Sequence, residues 1–323
     1  MRNFFPRRMM LKWFKYIIGF AVLFFLGWYL ARHWQEISEL FKLNIYQLSA
    51  IYIVSFFGIV INALVLIIVL RPMGIKPPLG NMILLQNACL LLNYVPMKFG
   101  TLFFANYLKR HYGLKYSYFA TFSVYLTLLI SVAAYGAGAL VLIFVYGLDN
   151  VQKQILTAAF IVGFIVAIAV IFIPLPLPKG TSKLATVFRD FLLSRKTISN
   201  DLKVLASATL LLFLNFVLAS IRLAIVYHSM AIKLDHTTGF LVLGAISYIV
   251  LFFNFTPGAL GIREAILGAG AVILGVPLEA GVAAALIDRA IVLSWSFIIG
   301  GLCTAYIWFK SPADFKEEID VAN

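Results

Sequence analysis

Six apolar runs dictate what this chain can fold into. They lie at roughly 13–33, 47–70, 116–146, 153–174, 203–229 and 278–309. Each is long enough to cross the ~30 Å hydrocarbon core of a bilayer as a helix. A helix closes its backbone hydrogen bonds within itself, so it can sit where no water is available to its N–H and C=O groups. Composition agrees with a membrane solvent. The 323 residues are 63% hydrophobic and 12% charged, with a mean hydropathy of +0.98, whereas soluble domains hold roughly 45–50% apolar and about 25% charged residues. The first run follows a basic start, as in a signal peptide. It leads into Trp28, Tyr29, Arg32 and Trp34 instead of a small-residue cleavage site, which predicts a retained first span.

Two further apolar regions, 81–112 and 239–276, are interrupted near the middle. The first breaks at Pro96 and Gly100, the second at Pro257, Gly258 and Gly261. The pieces after the breaks, 99–112 and 261–275, reach only about 21–22 Å at 1.5 Å per residue, too short to span. Both regions are therefore expected to be re-entrant helical hairpins that enter and leave on one face. The expected fold is an all-α polytopic membrane protein of one domain, residues 1–323, with six full spans and two hairpins.

Charge fixes the expected direction. Of the 26 Lys and Arg residues, eighteen fall on the face shared by the N-terminus, 71–80, 107–116, 175–203 and 309–323. Four (Arg32, Lys42, Lys153 and Lys233) fall on the other face, and four (Lys98, Arg222, Arg263 and Arg289) lie in apolar parts. Basic loops stay inside, so both termini and the basic 175–203 loop are expected in the cytoplasm, with the chain in the cell membrane. The net charge of +13 suits anionic lipid headgroups; nucleic acid is not an expected partner.

The two breaks resemble each other. In "NYVPMKFGTLFF" and "NFTPGALGIREA", Asn93, Pro96 and Gly100 match Asn254, Pro257 and Gly261 at a constant offset of 161, and Gly113 faces Gly275 at 162. Repeat units of about 81–146 and 239–309 follow. An odd number of full spans separates them, so the second hairpin enters from the opposite face, as an inverted repeat. Transporters built in this way hold substrate near the midplane, where broken helices meet. Freed backbone at such depth needs protein or water around it, and a half-helix beginning near Leu260 offers unpaired N–H groups to an anion.

The stretch "TPGALGIREAILGAGAVILGVPLEAGVAAALIDRAIVLSWSFIIGGL" resembles the second signature of the lysylphosphatidylglycerol synthase transmembrane, or flippase-like, family. Pro257, Gly258, Gly261, Glu264, Gly275, Val276, Pro277 and Arg289 match its pattern, and the likeness extends over about 10–310. The first signature is degenerate: Lys98-Phe99-Gly100-Thr101 puts Thr101 where the family commonly has Glu. The resemblance implies a membrane module related to lipid flipping or to the assembly of lipid-linked molecules. About fourteen residues follow Phe309, so the aminoacyltransferase activity of bifunctional relatives is expected to be absent from this chain.

The candidate substrate-binding residues are Lys98, Arg222, Arg263, Glu264, Asp288 and Arg289, because charge at membrane depth is rare and functional by default. Bland readings stand beside this one. Arg263 and Glu264 could form a wetted loop at the interface, and Arg222 could snorkel or neutralise an acid. Asp288–Arg222 and Glu264–Arg289 bridges could be purely structural. Asp288 and Arg289 point about 100° apart on a helix and need not pair with each other. Gly136 and Gly138 read as close helix packing. Cys89 and Cys303 have no metal-ligand spacing, the four histidines are scattered, and there is no Gly-rich nucleotide loop, so no metal, cofactor or catalytic residue is assigned. The expected function is transport of an anionic phospholipid or polyprenyl-phosphate-linked lipid through a polar cleft between the hairpins. The alternative is a membrane enzyme or accessory factor of lipid-linked glycan or phospholipid headgroup assembly.

Overall fold

A computed structural model describes residues 44–94, 99–173, 201–250 and 262–309, with Arg189 and Leu192 beside them. The expected first span at 13–33, Pro96, Lys98, Pro257, Gly258 and Gly261 lie outside the described residues. Within them the chain is helical, with no strand. Five helices are long and apolar enough to cross a membrane: α1 (Ile45–Leu70), α4 (Tyr116–Val141), α5 (Val151–Phe172), α6 (Leu202–Ser229) and α9 (Leu278–Phe309). A π-helical turn, Leu142–Tyr146, prolongs α4. These are five of the six spans read from the sequence.

The two broken regions give four short helices. They are α2 (Leu79–Leu92), α3 (Phe99–Tyr112), α7 (Gly239–Ile249) and α8 (Ile262–Ile273), of 14, 14, 11 and 12 residues. At 1.5 Å per residue each covers only about 16–21 Å. Gly100, expected in the first break, lies in the opening turn of α3. It permits a close approach there, since a Cβ would stand 2.4 Å from the Cys89 carbonyl oxygen and 2.6 Å from Asn93 Oδ1. The Asn93 side chain accepts a hydrogen bond from the Thr101 N–H at 3.1 Å, satisfying one of the donors that a helix start leaves open.

Local sequence sets the ends of the long helices. Asn44 and Gln47 form a reciprocal capping box at the start of α1, and Asn150 and Asp201 accept from the Lys153 and Val204 N–H groups at 2.8 and 3.1 Å. The links from α3 to α4 and from α8 to α9 turn on Gly113 (φ +71°) and Gly275 (φ +85°). That left-handed conformation suits a residue without a Cβ. Leu114 and Val276, immediately after them, are both buried.

The order long–short–short–long thus occurs twice, as α1–α4 and α6–α9, with α5 between. The two sets interlock. Helix α1 packs along α6, α9 packs against α2, and α4 packs against α7. Glycine allows the two crossed contacts. At Gly138 a Cβ would meet Ala245 Cβ of α7 at 2.9 Å, and at Gly300 it would stand 2.6 Å from the Asn87 carbonyl of α2. The expectation of close packing at Gly138 is met; at Gly136 the neighbour is the Phe164 ring, 3.2 Å from the position of a Cβ. Helix α5 stays peripheral, packing on α4 and exposing Ile155, Val162, Ile165 and Phe172 as a face suited to lipid.

Neighbouring glycines offer a control on this packing. Gly301 has nothing within 4 Å of where a Cβ would stand. Gly301→Ala is expected to leave the detergent melting temperature unchanged or raise it slightly, through helix propensity worth up to ~1 kcal/mol. Gly300→Ala, which presses a methyl onto the α2 backbone, is expected to cost ~1–3 kcal/mol. Equal melting of the two variants would contradict the contact.

Candidate functional site

Five of the six charged candidates converge. Arg222 comes from α6, Arg263 and Glu264 from the first turn of α8, and Asp288 and Arg289 from α9. Asp288 is fully buried, and two arginines hold it. Arg222 reaches both carboxylate oxygens, Nε to Oδ1 at 2.6 Å and Nη2 to Oδ2 at 3.2 Å. Arg263 Nη2 donates to Oδ2 at 2.6 Å. Arg289 Nη1 donates to Glu264 Oε1, and both residues are buried. Adjacent helix positions point about 100° apart. Residues 263 and 264 therefore reach α9 through separate partners, Asp288 and Arg289. Both bridges proposed as structural alternatives exist, and Arg263 adds a third contact.

The balance of this cluster favours an anion. Three guanidinium groups face two carboxylates, leaving one positive charge in excess among these five side chains. The fork of an arginine matches carboxylate or phosphate oxygens. Glu264 stands in the first turn of α8, where the helix end favours negative charge by ~0.3–1 kcal/mol. That is far less than the cost of burying a lone carboxylate, so the partnership with Arg289 is what makes the position tenable. Tyr94, Tyr227 and Tyr248 stand within electrostatic range of members of the cluster.

A largely apolar cavity with several amides in its walls lies beside these charges. Two recesses, of about 330 and 230 Å³, share Asn62, Gln86, Asn215 and Tyr248 in their walls. The larger extends toward Phe104 and Thr127. The smaller extends to Ser55, Trp295 and Arg222, so Arg222 belongs both to the cavity wall and to the ion-pair cluster. Asn215 Nδ2 donates to Asn62 Oδ1 at 3.3 Å where α1 meets α6, and Trp295 Nε1 donates to Asn87 Oδ1 at 2.9 Å. The sequence reading passed over these amides. Asn62 in "VINAL", Gln86 in "LLQNA" and Asn215 in "FLNFV" are nonetheless polar residues inside apolar runs, and the expense of such groups in hydrocarbon was the available signal.

Fold and site together define an integral membrane protein with a charged, cavity-bearing interior. The chain matches the family described as "Lysylphosphatidylglycerol synthase TM region" over residues 16–301, and it belongs to that family, a membrane module related to lipid handling. No curated protein and no solved structure matches the chain.

Proposed function

We propose that this protein is a lipid transporter that passes an anionic phospholipid or a lipid-linked phosphate through the polar interior between its two broken regions. One observation carries the reading: five ionisable side chains with an excess of positive charge gather inside an apolar bundle and adjoin a cavity whose mostly apolar walls carry Arg222 and three amides. Charge at membrane depth is rare and typically marks a substrate or ion path. In this reading Arg222, Arg263 and Arg289, with Lys98 from the first break, hold the phosphate. Glu264 and Asp288 balance those charges while the site is empty.

The same reading gives the chain six spans and two oppositely inserted re-entrant hairpins, with both termini cytoplasmic. Short helices of sub-membrane length, three long helices between the two pairs, and the paired positions Gly113/Gly275 and Gly138/Gly300 support it. Single cysteines in a cysteine-free background test the arrangement. A cysteine at Lys115 should be shielded from an impermeant reagent added outside cells, and one at Asp235 should react. Labelling at Lys115 would remove the re-entrant arrangement.

Transport itself is tested with the purified chain in liposomes carrying fluorescent phospholipids or polyprenyl phosphates. The expected result is transfer of inner-leaflet anionic lipid to an outer-leaflet quencher, without consumption of a donor. Modification of the headgroup would favour the enzymatic alternative, and absence of movement for every anionic lipid would end the transport reading.

A further inference from the structure

Charge in the bundle interior does not balance. Arg222, Arg263 and Arg289 face Glu264 and Asp288, which leaves one guanidinium in excess. The sequence holds no further carboxylate at that depth. Of its 13 Asp and Glu residues, these two lie in the cluster, Glu279 is exposed in the first turn of α9, and the other ten fall outside the apolar runs and the broken regions. An uncompensated cation away from bulk water is costly. The excess therefore calls for an anion that the side chains do not supply.

Arg222 is where such an anion can reach the cluster. Its Nε and Nη2 hold Asp288, and its Nη1 makes no hydrogen bond to another described residue. The same residue lines the smaller recess, of about 230 Å³. Hydrogen-bond donors stand in that wall. Ser55 Oγ is buried without a partner among the described residues. Asn62 Oδ1 accepts from Asn215 Nδ2, which leaves the Asn62 amino group to donate. Gln86 and Tyr248 add a further amide and a hydroxyl.

The rest of the wall is apolar, with Val54, Ile59, Leu90, Leu218 and Val292. Such a lining takes water from its occupant and returns few hydrogen bonds. A multiply charged oxyanion loses most by this, because ion desolvation rises steeply with charge. A compact monovalent anion loses least.

We propose that the smaller recess binds a small monovalent inorganic anion of the chloride class, held by Arg222 Nη1 with donors from Ser55 and Asn62. The ion supplies the counter-charge that the five-residue cluster lacks. This site stands independently of lipid movement; under the transport reading, an arriving lipid phosphate displaces the ion from Arg222.

Thermal unfolding of the full chain in a neutral detergent tests this, with sodium chloride exchanged for sodium gluconate at constant ionic strength. Chloride should raise the melting temperature saturably by about 2–4 °C, as ligand linkage does in a chain of this size. Gln86→Glu places a carboxylate in the wall that Arg222 lines and should take the ion's place. That variant should melt above the parent protein in gluconate and lose the chloride response. Ser55→Ala leaves every charge in place and should raise the half-saturating chloride concentration about fivefold, the span of one hydrogen bond.

A parent protein indifferent to chloride would overturn the proposal, as would a Gln86→Glu variant that responds to chloride like the parent. Should Gln86→Glu not fold, the Ser55→Ala shift decides, and its absence counts against the site. A larger response to phosphate than to chloride, beyond that of Gln86→Glu, would assign the recess to oxyanions and overturn the chloride class. Chloride-dependent melting without lipid flux in liposomes would refute transport and sustain this site; flux without any chloride response would do the reverse.

Discussion

Asp288→Asn is expected to be the most destabilising single charge removal in the bundle. The substitution keeps the shape of the side chain and deletes the one anion that Arg222 and Arg263 share. Both guanidinium groups then remain largely buried without a counter-charge, and the excess of positive charge in the cluster doubles. Breaking a buried pair costs ~3–5 kcal/mol because the orphaned partner keeps its desolvation penalty. Thermal unfolding in detergent measures the effect. Arg222→Gln combined with Asp288→Asn removes one cation together with the anion, and should recover about half the lost stability through the coupling between contacting residues. A single variant that melts like the parent protein would show that the arginines find other partners, and would dissolve the cluster as a structural unit.

Glu264→Gln produces the second large effect, and a paired substitution separates its two causes. Alone, it leaves Arg289 buried without its carboxylate, so stability should again fall by ~3–5 kcal/mol. With Arg289→Gln added, two neutral amides face each other between α8 and α9, and stability should return close to that of the parent. Lipid movement should not return. If the Glu264–Arg289 bridge opens to admit the phosphate, the neutral pair has no charge to exchange, and flux should stay at least tenfold down. Full flux in the stable double variant would assign the bridge to folding alone.

These two bridges show where sequence reading reached its limit. The five charged residues stood out because charge inside apolar runs is conspicuous on its own, and Asp288 and Arg289 were already expected to face apart. The Arg222–Asp288 and Glu264–Arg289 pairings were among the readings the sequence offered; that Arg263 joins Arg222 on Asp288 was not legible. Arg222 and Asp288 are 66 residues apart, and Arg263 and Asp288 are 25 apart; their meeting depends on how α6, α8 and α9 are rotated and crossed. The amides of the cavity were missed for a related reason. A lone Asn or Gln in an apolar helix looks like a tolerated exception until neighbouring helices place three of them around one space.

What the sequence determined by itself was therefore the membrane class, the long spans and the two interruptions. Those features follow from the length of apolar runs and from the backbone preferences of proline and glycine, both local properties of the chain. The offset glycines also pointed to a paired architecture, and Gly113 and Gly275 do adopt the same left-handed turn. The interlocking of α4 with α7 and α9 with α2, the shared arginine grip on Asp288 and the amide-bearing cavity were decided only in three dimensions. Hydrocarbon exerts little preference between one apolar helix face and another. Close packing at small residues and the demand of buried charges for partners select the single arrangement.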